Sequence, residues 1–263
     1  MSDLLGPDLL GPDLDRDRRP EVPQRRLPWP LDVWLFPFNE AGLTMLAVFL
    51  LVPLALKALV WFLNLIAQAV PALYVISLFV SIAALILWGI IGLSYVCYLL
   101  LCIQASAEGQ IRAPELLSVG QDEDYLGAMG HILRGIGVVA VCVAPASVYF
   151  LVTRRPDAVL ILLAAGGLYI LPMALLSVVM EESLVGLNPV RLLIGILRTV
   201  VPYTPLALMF VAPLVGTIAL LVLGILPWFL ALPARFFVMY VQLVMAHLLG
   251  WFYYCNEERL DWF

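Results

Sequence analysis

The chain has 263 residues, of which 63% are hydrophobic and only 13% are charged. A soluble domain usually carries about 25% charged residues, so this composition excludes an ordinary soluble protein and predicts a lipid environment. The net charge of −5 is spread over short polar segments rather than gathered into one basic face, so we expect no nucleic-acid partner. Arginine outnumbers lysine by 13 to 1, a bias that is typical of GC-rich genomes and favours a bacterial source.

Residues 1–30 form a polar segment that we predict to be a cytoplasmic tail. It opens with DLLGPDLLGPDL, in which Leu4, Leu5, Leu9 and Leu10 make two copies of one small hydrophobic motif. We predict that these leucines dock onto a protein partner; a plain solvated tail is the alternative. The arginines of DRDRRPEVPQRR are expected to hold the tail near anionic lipid headgroups. No apolar run with a cleavage site occurs here, so the first span is expected to serve as an uncleaved insertion signal.

Residues 31–40 continue an aromatic, proline-rich segment that begins at about residue 27. Its sequence LPWPLDVWLFPF alternates tryptophan and phenylalanine with proline. Prolines prevent a continuous helix, and aromatic side chains are enriched in the headgroup layer of a bilayer. We therefore predict that this segment is interfacial and lies on the membrane surface.

A membrane domain is predicted over residues 41–254, followed by a cytoplasmic C-terminal tail at 255–263. About 20 apolar residues cross the roughly 30 Å of hydrocarbon in a bilayer. Two cytoplasmic interfacial helices are expected, one within 105–131 and one that begins at Pro189 after the capping residue Asn188. The predicted fold class is thus an all-α, polytopic integral membrane protein with six transmembrane helices. The six apolar runs are at about 41–60, 72–104, 132–152, 158–180, 202–226 and 234–254.

The distribution of basic residues chooses the orientation of these spans, because cytoplasmic loops carry an excess of lysine and arginine. With both termini inside, ten arginines are cytoplasmic and four basic residues lie outside. The four outside are Lys57, Arg154, Arg155 and Arg235. We therefore predict a multi-pass protein of the bacterial inner membrane with both termini in the cytoplasm.

Two stretches of the membrane domain resemble each other. HILRGIGVVAVCVAPA at 131–146 and GILRTVVPYTPLALMFVAPL at 195–214 share an Ile-Leu-Arg entry and a mid-span Ala-Pro. They suggest a parallel internal repeat, with chance similarity as the alternative. Both carry small residues four apart, which allow helices to approach closely in lipid. These candidate helix-packing residues are Ala140, Ala144, Ala212 and Gly216.

Three residues of the last span make a candidate polar membrane site, because ionisable groups are expensive to bury in lipid. We expect Arg235 to extend its side chain to the interface and Gln242 to form a helix–helix hydrogen bond. His247 shares a face with Trp251 and Tyr254, which predicts an aromatic belt at the inner leaflet, with a proton or ligand site as the alternative. Glu181 is expected to pair with Arg191 or Arg198.

No pattern in the sequence is typical of an active site. We find no metal-ligand spacing, no phosphate-binding glycine loop and no nucleophile beside a base, so we predict no enzyme activity, no cofactor and no metal. Mid-span prolines could instead mark the broken helices of a transporter. The cysteines, at 97, 102, 142 and 255, are predicted to be buried thiols rather than a disulfide framework or metal site.

The layout of spans and surface helices, with LNPVRLLIGILRTVVPY and the ending AHLLGWFYYCNEERLDWF, resembles uncharacterised bacterial multi-spanning membrane proteins loosely akin to the Yip family. The resemblance covers about residues 40–263 and implies a membrane-organising or complex-associated role. We predict an accessory subunit or scaffold that acts by protein contact in the bilayer. The alternative is a small-solute transporter or channel. A water-filled cavity at mid-membrane, lined by Gln242, Asn64 or Thr217, would favour this alternative.

Overall fold

The computed structural model describes residues 29–70, 73–115, 125–181, 183–223, 231–260 and 262. Leu4, Leu5, Leu9 and Leu10, the arginine-rich segment and the acidic run 122–124 lie outside these residues. Throughout the described part, the regular secondary structure is helical, as predicted. The helices are α1 Trp29–Trp34, α2 Glu40–Ala69, α3 Tyr74–Ala107, α4 Tyr125–Thr153, α5 Ala158–Glu181, α6 Pro189–Arg198, α7 Val200–Leu223 and α8 Ala231–Leu260, with a 3-10 turn at Leu184–Leu187.

Five helices are each long and apolar enough to cross a membrane: α2, α3, α4 from Leu133, α5, and α8 from Leu232. A sixth crossing arises only if α6 and the first part of α7, which meet at an angle of 109°, are taken together. The prediction of an all-helical chain is therefore confirmed, and the described residues contain five to six helices that are long and apolar enough to span a membrane. At 1.5 Å per residue, the 34 residues of α3 measure roughly 50 Å, so this helix tilts or extends beyond the hydrocarbon.

Helix α8 lies at the centre of the bundle. In its most apolar window 67% of the residues are buried, against 11% for both α2 and α3. It packs most extensively on α3 and also contacts α1, α2, α5, α6 and α7. The helix runs on through Cys255 to Leu260, so most of the predicted C-terminal tail is helical, and Leu260 and Trp262 are buried.

The short helix α6 begins where the sequence predicted. The side chain of Asn188 accepts a hydrogen bond from the backbone N–H of Val190 at 3.1 Å, and Pro189 occupies the first turn. The helix ends at Thr199, whose hydroxyl donates to the carbonyl of Gly195 at 2.7 Å. The chain then turns by 109° into α7.

The two stretches of the suggested repeat differ at their shared Ile-Leu-Arg. In the first, residues 132–134 lie inside the continuous helix α4, whereas in the second, residues 196–198 end α6 at the sharp bend. Only α6 among the expected interfacial helices is described, because residues 108–115 are not helical and residues 116–124 lie outside the described part. The two stretches of the suggested repeat therefore differ in backbone conformation at their shared Ile-Leu-Arg.

A tight turn at 154–157 joins α4 to α5. Arg154 adopts a positive φ of 53°, and Asp157 stabilises the turn from both sides. One carboxylate oxygen accepts from the hydroxyl of Tyr149 at 2.5 Å, and the other accepts from the N–H of Leu160 at 3.1 Å. These hydrogen bonds favour the ionised form, Tyr149 contributing most, and they lower the pKa of the Asp157 carboxyl.

Candidate functional site

The polar residues predicted in the last span lie in three different environments. Arg235 is exposed near the start of α8. Gln242 accepts a hydrogen bond from the hydroxyl of Tyr95 on α3 at 2.7 Å, which is the helix–helix bond that we expected. His247 is only 1% exposed. The three residues therefore do not form one polar membrane site.

His247 lies at the centre of a buried cluster between α3, α8 and the segment that follows α1. Its Nδ1 is 2.8 Å from the hydroxyl of Ser106, and that hydroxyl donates to the carbonyl of Cys102 at 2.6 Å. The ring of Phe36 stacks on the imidazole, with 4.1 Å between centroids and 13° between planes. A hydroxyl has one proton, so a Ser106 that donates to the carbonyl of Cys102 accepts its second hydrogen bond from Nδ1–H of His247.

The predicted inner-leaflet aromatic belt is therefore wrong for His247, because α1 covers this face of α8. The aromatic segment that contains Phe36 packs into the bundle, where Phe36 is 0% and Val33 is 4% exposed. Trp251 and Tyr254 do stack on each other, with ring centroids 5.1 Å apart. Asp32, on the same short helix, is also buried, so α1 brings both apolar and polar groups to α8.

An ion pair ties α5 to α6 and the chain end. The guanidinium of Arg191 contacts the carboxylate of Glu181, as predicted, and donates to the backbone carbonyl of Trp262. It also lies 5.9 Å from the centroid of the Trp262 indole, a distance at which cation–π attraction is significant. The sequence reasoning found the ion pair but missed Trp262.

The predicted small-residue pairs do not pack inside the bundle. Ala140, Ala144 and Ala212 are exposed, and a Cβ built on Gly216 would meet no atom within 4 Å. As a correction for contacts within the chain, Ala140 and Ala144 face away from the core because a different face of α4, formed by Gly135, Val138, Cys142 and Ala146, is the buried one.

Two other glycines provide the close helix approaches. A Cβ on Gly167 of α5 would lie 2.2 Å from the carbonyl oxygen of Cys142 on α4, and one on Gly250 of α8 would lie 2.2 Å from that of Ile103 on α3. Sequence reasoning missed both as packing sites. The available signal was the presence of glycine inside a long apolar helix, which can mark a close approach of two backbones.

Two apolar clefts of similar size open on the surface of the bundle. The first, of about 450 Å³, lies between α7 and α8 beneath α1. The second, of about 410 Å³, lies between α4, α5 and α6. Beside Gln242 there is a smaller cleft of about 160 Å³ with an otherwise apolar lining. Asn64 accepts a hydrogen bond from Ser77 on the neighbouring helix, and the side chain of Thr217 lies outside the described part.

The described residues include no group of three His, Cys, Asp or Glu side chains that could hold a metal ion. Cys102 is buried and Cys97 and Cys142 are half-buried, but Cys255 is exposed. The prediction of buried thiols is therefore wrong for Cys255, because α8 continues past residue 254 and presents this residue on its outer face.

No family model, curated protein or solved structure matches this chain. The resemblance to the Yip family therefore stays a prediction, and a function has to rest on the contacts and surfaces of the chain itself.

Proposed function

We propose that this chain is a non-enzymatic protein of the bacterial inner membrane that works by protein contact, as an accessory subunit or scaffold of a membrane assembly. The observation that carries the proposal is the exposure of the hairpin formed by α2 and α3. Only 11% of the most apolar window of each helix is buried. Two helices of 30 and 34 residues thus present most of their apolar surface outward.

One face of α3 is shaped for a neighbouring helix. Leu85, Gly89 and Gly92 follow one another at spacings of four and three, so they share a face. Leu85 is 74% exposed, and a Cβ on either glycine would meet no atom within 4 Å. Small residues let the backbone of a second helix approach closely in lipid, where packing and hydrogen bonds drive association.

A hydrogen bond near the connection between α2 and α3 holds the hairpin together. The Ser77 hydroxyl on α3 donates to the side-chain oxygen of Asn64 on α2. A hydrogen bond between membrane helices contributes about 0.6–2 kcal/mol, so the two helices present their outer faces together. Ala140 and Ala144 on α4 and Ala212 on α7 are further small residues that are exposed.

Transport, the alternative function, would need polar groups that face a path through the membrane. Gln242 is engaged by Tyr95, and the cleft beside it is otherwise apolar. Asn64 is likewise engaged by Ser77. Because both polar side chains are hydrogen-bonded within the chain, a function by protein contact is favoured over solute transport.

A steric variant on the open face of α3 tests the proposal. Gly89→Leu with Gly92→Leu adds side chains where the chain itself has free space, so folding is expected to be unchanged. The chain would be extracted gently from its native membrane, and its partners identified by mass spectrometry. We expect the double variant to lose the partner that the wild type retains.

Gly166→Leu on α5 is the matched control, because a Cβ there also meets no atom within 4 Å. This control should keep the partner. Retention of the partner by the double variant, with thermal unfolding like that of the wild type, would contradict the proposed interface. Equal loss of the partner by the control would contradict it as well.

A further inference from the structure

The cleft between α7 and α8 has the size and lining of a site for a lipid chain. Its volume of about 450 Å³ lies within the range of roughly 300–1,000 Å³ that is typical of ligand pockets. Leu206 and Met209 of α7 face Met245 and Leu248 of α8, and Trp34 of α1 borders the opening.

At the C-terminal end of α8, the same cleft becomes polar. Pro202, Cys255 and Asn256 line both the apolar cleft and a surface hollow whose wall includes Glu257, Glu258 and Arg259. We call the whole surface, from Met209 to Arg259, the α7–α8 groove. The groove is therefore apolar along most of its length and charged at one end. This arrangement matches a phospholipid, which has apolar acyl chains and a charged headgroup.

The charged end carries both signs. Arg259 provides one cation, and Arg198 lies beside it, since its guanidinium is 3.5 Å from the backbone carbonyl of Arg259. Glu257 and Glu258 provide two carboxylates within the same turn. Two carboxylates beside the arginines disfavour a purely anionic headgroup, whereas a headgroup with a phosphate and a primary ammonium matches both signs.

We infer that the α7–α8 groove binds a zwitterionic phospholipid with a primary ammonium, of the phosphatidylethanolamine class. One acyl chain lies between α7 and α8 along Leu206, Met209 and Met245. The phosphate lies by Arg198 and Arg259, and the ammonium lies by the two glutamates.

The second apolar cleft is a matched control within the chain. It has almost the same volume, about 410 Å³, and its lining contains no charged side chain. Acyl chains that merely cover apolar surface would occupy both clefts alike. A lipid that is recognised by its headgroup would prefer the α7–α8 groove.

The test uses the full chain in vesicles of equimolar phosphatidylethanolamine and phosphatidylglycerol. A small fraction of one lipid carries a photoactivatable acyl chain, and the cross-linked peptides are identified by mass spectrometry. We expect the ethanolamine probe to label α7 and α8 around Met209 and Met245 more strongly than the glycerol probe does. Met209→Trp, which fills the groove, should abolish this labelling. Leu163→Trp, which fills the second cleft, should leave it unchanged.

Headgroup recognition is tested separately by Glu257→Gln with Glu258→Gln. These substitutions remove the carboxylates that would pair with the ammonium. We expect them to reduce the preference for the ethanolamine probe by about threefold, without loss of total labelling. If Met209→Trp fails to fold, as judged by thermal unfolding, Leu206→Phe replaces it.

Equal labelling by the two probes would overturn the headgroup assignment. Labelling spread evenly over exposed residues of α3 would overturn the site. A protein segment found cross-linked in the groove of the native complex would replace the lipid as its occupant.

Discussion

Adjacent glycines on α5 provide a direct test of the helix packing. Gly166 and Gly167 are consecutive residues in the interior of the same helix. A Cβ on Gly166 would meet no atom within 4 Å, whereas a Cβ on Gly167 would lie 2.2 Å from the carbonyl oxygen of Cys142. Ordinary van der Waals contact begins at 3.4 Å. Replacing Gly167 by alanine therefore requires α4 and α5 to separate locally by about 1.2 Å, which is the difference between these two distances.

The magnitude follows from two opposing effects. Glycine in a helix interior is less stable than alanine by roughly 0.5–1 kcal/mol, and this gain is common to both variants. Overpacking a close contact costs about 1–3 kcal/mol, and this cost falls on Gly167→Ala alone. We expect Gly166→Ala to be slightly more stable than the wild type, and Gly167→Ala to be about 1–3 kcal/mol less stable than Gly166→Ala.

The assay is reversible unfolding of the purified chain in mixed micelles, with helical content followed by circular dichroism. The wild type and both variants would be compared in the same lipid and detergent. Equal free energies of unfolding for the two variants would refute the reasoning, because they would mean that α4 and α5 are not in contact at Cys142.

Further predictions concern the turn, the orientation and the chain end. Asp157→Asn should destabilise the turn after α4. Because the pKa of Asp157 is lower in the folded chain than in the unfolded chain, the ionised carboxylate stabilises the fold above the unfolded pKa. This contribution should be lost as the pH falls through the folded pKa. Unfolding measured between neutral pH and about pH 3 should depend less on pH in the variant, and an unchanged profile would contradict the role of the carboxylate. With the exposed Cys255 replaced by serine, Pro156→Cys should react with an impermeant thiol reagent only from the periplasmic side; labelling only from the cytoplasmic side would reverse the predicted topology. Arg191→Met should increase proteolysis near Trp262, because it removes the contacts to Glu181 and to the chain end, whereas unchanged cleavage would show that these contacts do not hold the end in place.

The presence of long apolar helices was predictable from the sequence because it depends on local composition. The predicted fourth span, 158–180, and α5, Ala158–Glu181, differ by one residue at the end. The start of α6 was equally accessible, since Asn188 followed by Pro189 is a local capping signal. Such features need no knowledge of which helices are neighbours.

The environment of His247 could not be predicted in this way. Its burial depends on Phe36, which lies more than 200 residues earlier in the chain and stacks on the imidazole only because α1 packs against α8. The lack of contacts within the chain at the small-residue pairs could not be predicted either, since spacing shows that two residues share a face but does not show which face meets a neighbouring helix of the same chain. The glycine contacts at Gly167 and Gly250 likewise depend on the approach of a second helix.

Site-specific photo-cross-linking in the native membrane can test whether the chain acts through protein contact at the α2–α3 hairpin, as we propose. A photoreactive amino acid would replace Leu85, which is 74% exposed on α3, and in a separate variant Leu162, which is 73% exposed on α5. We expect one discrete cross-linked protein from position 85 and none from position 162. Cross-links to lipid alone from position 85, or the same protein from both positions, would contradict it.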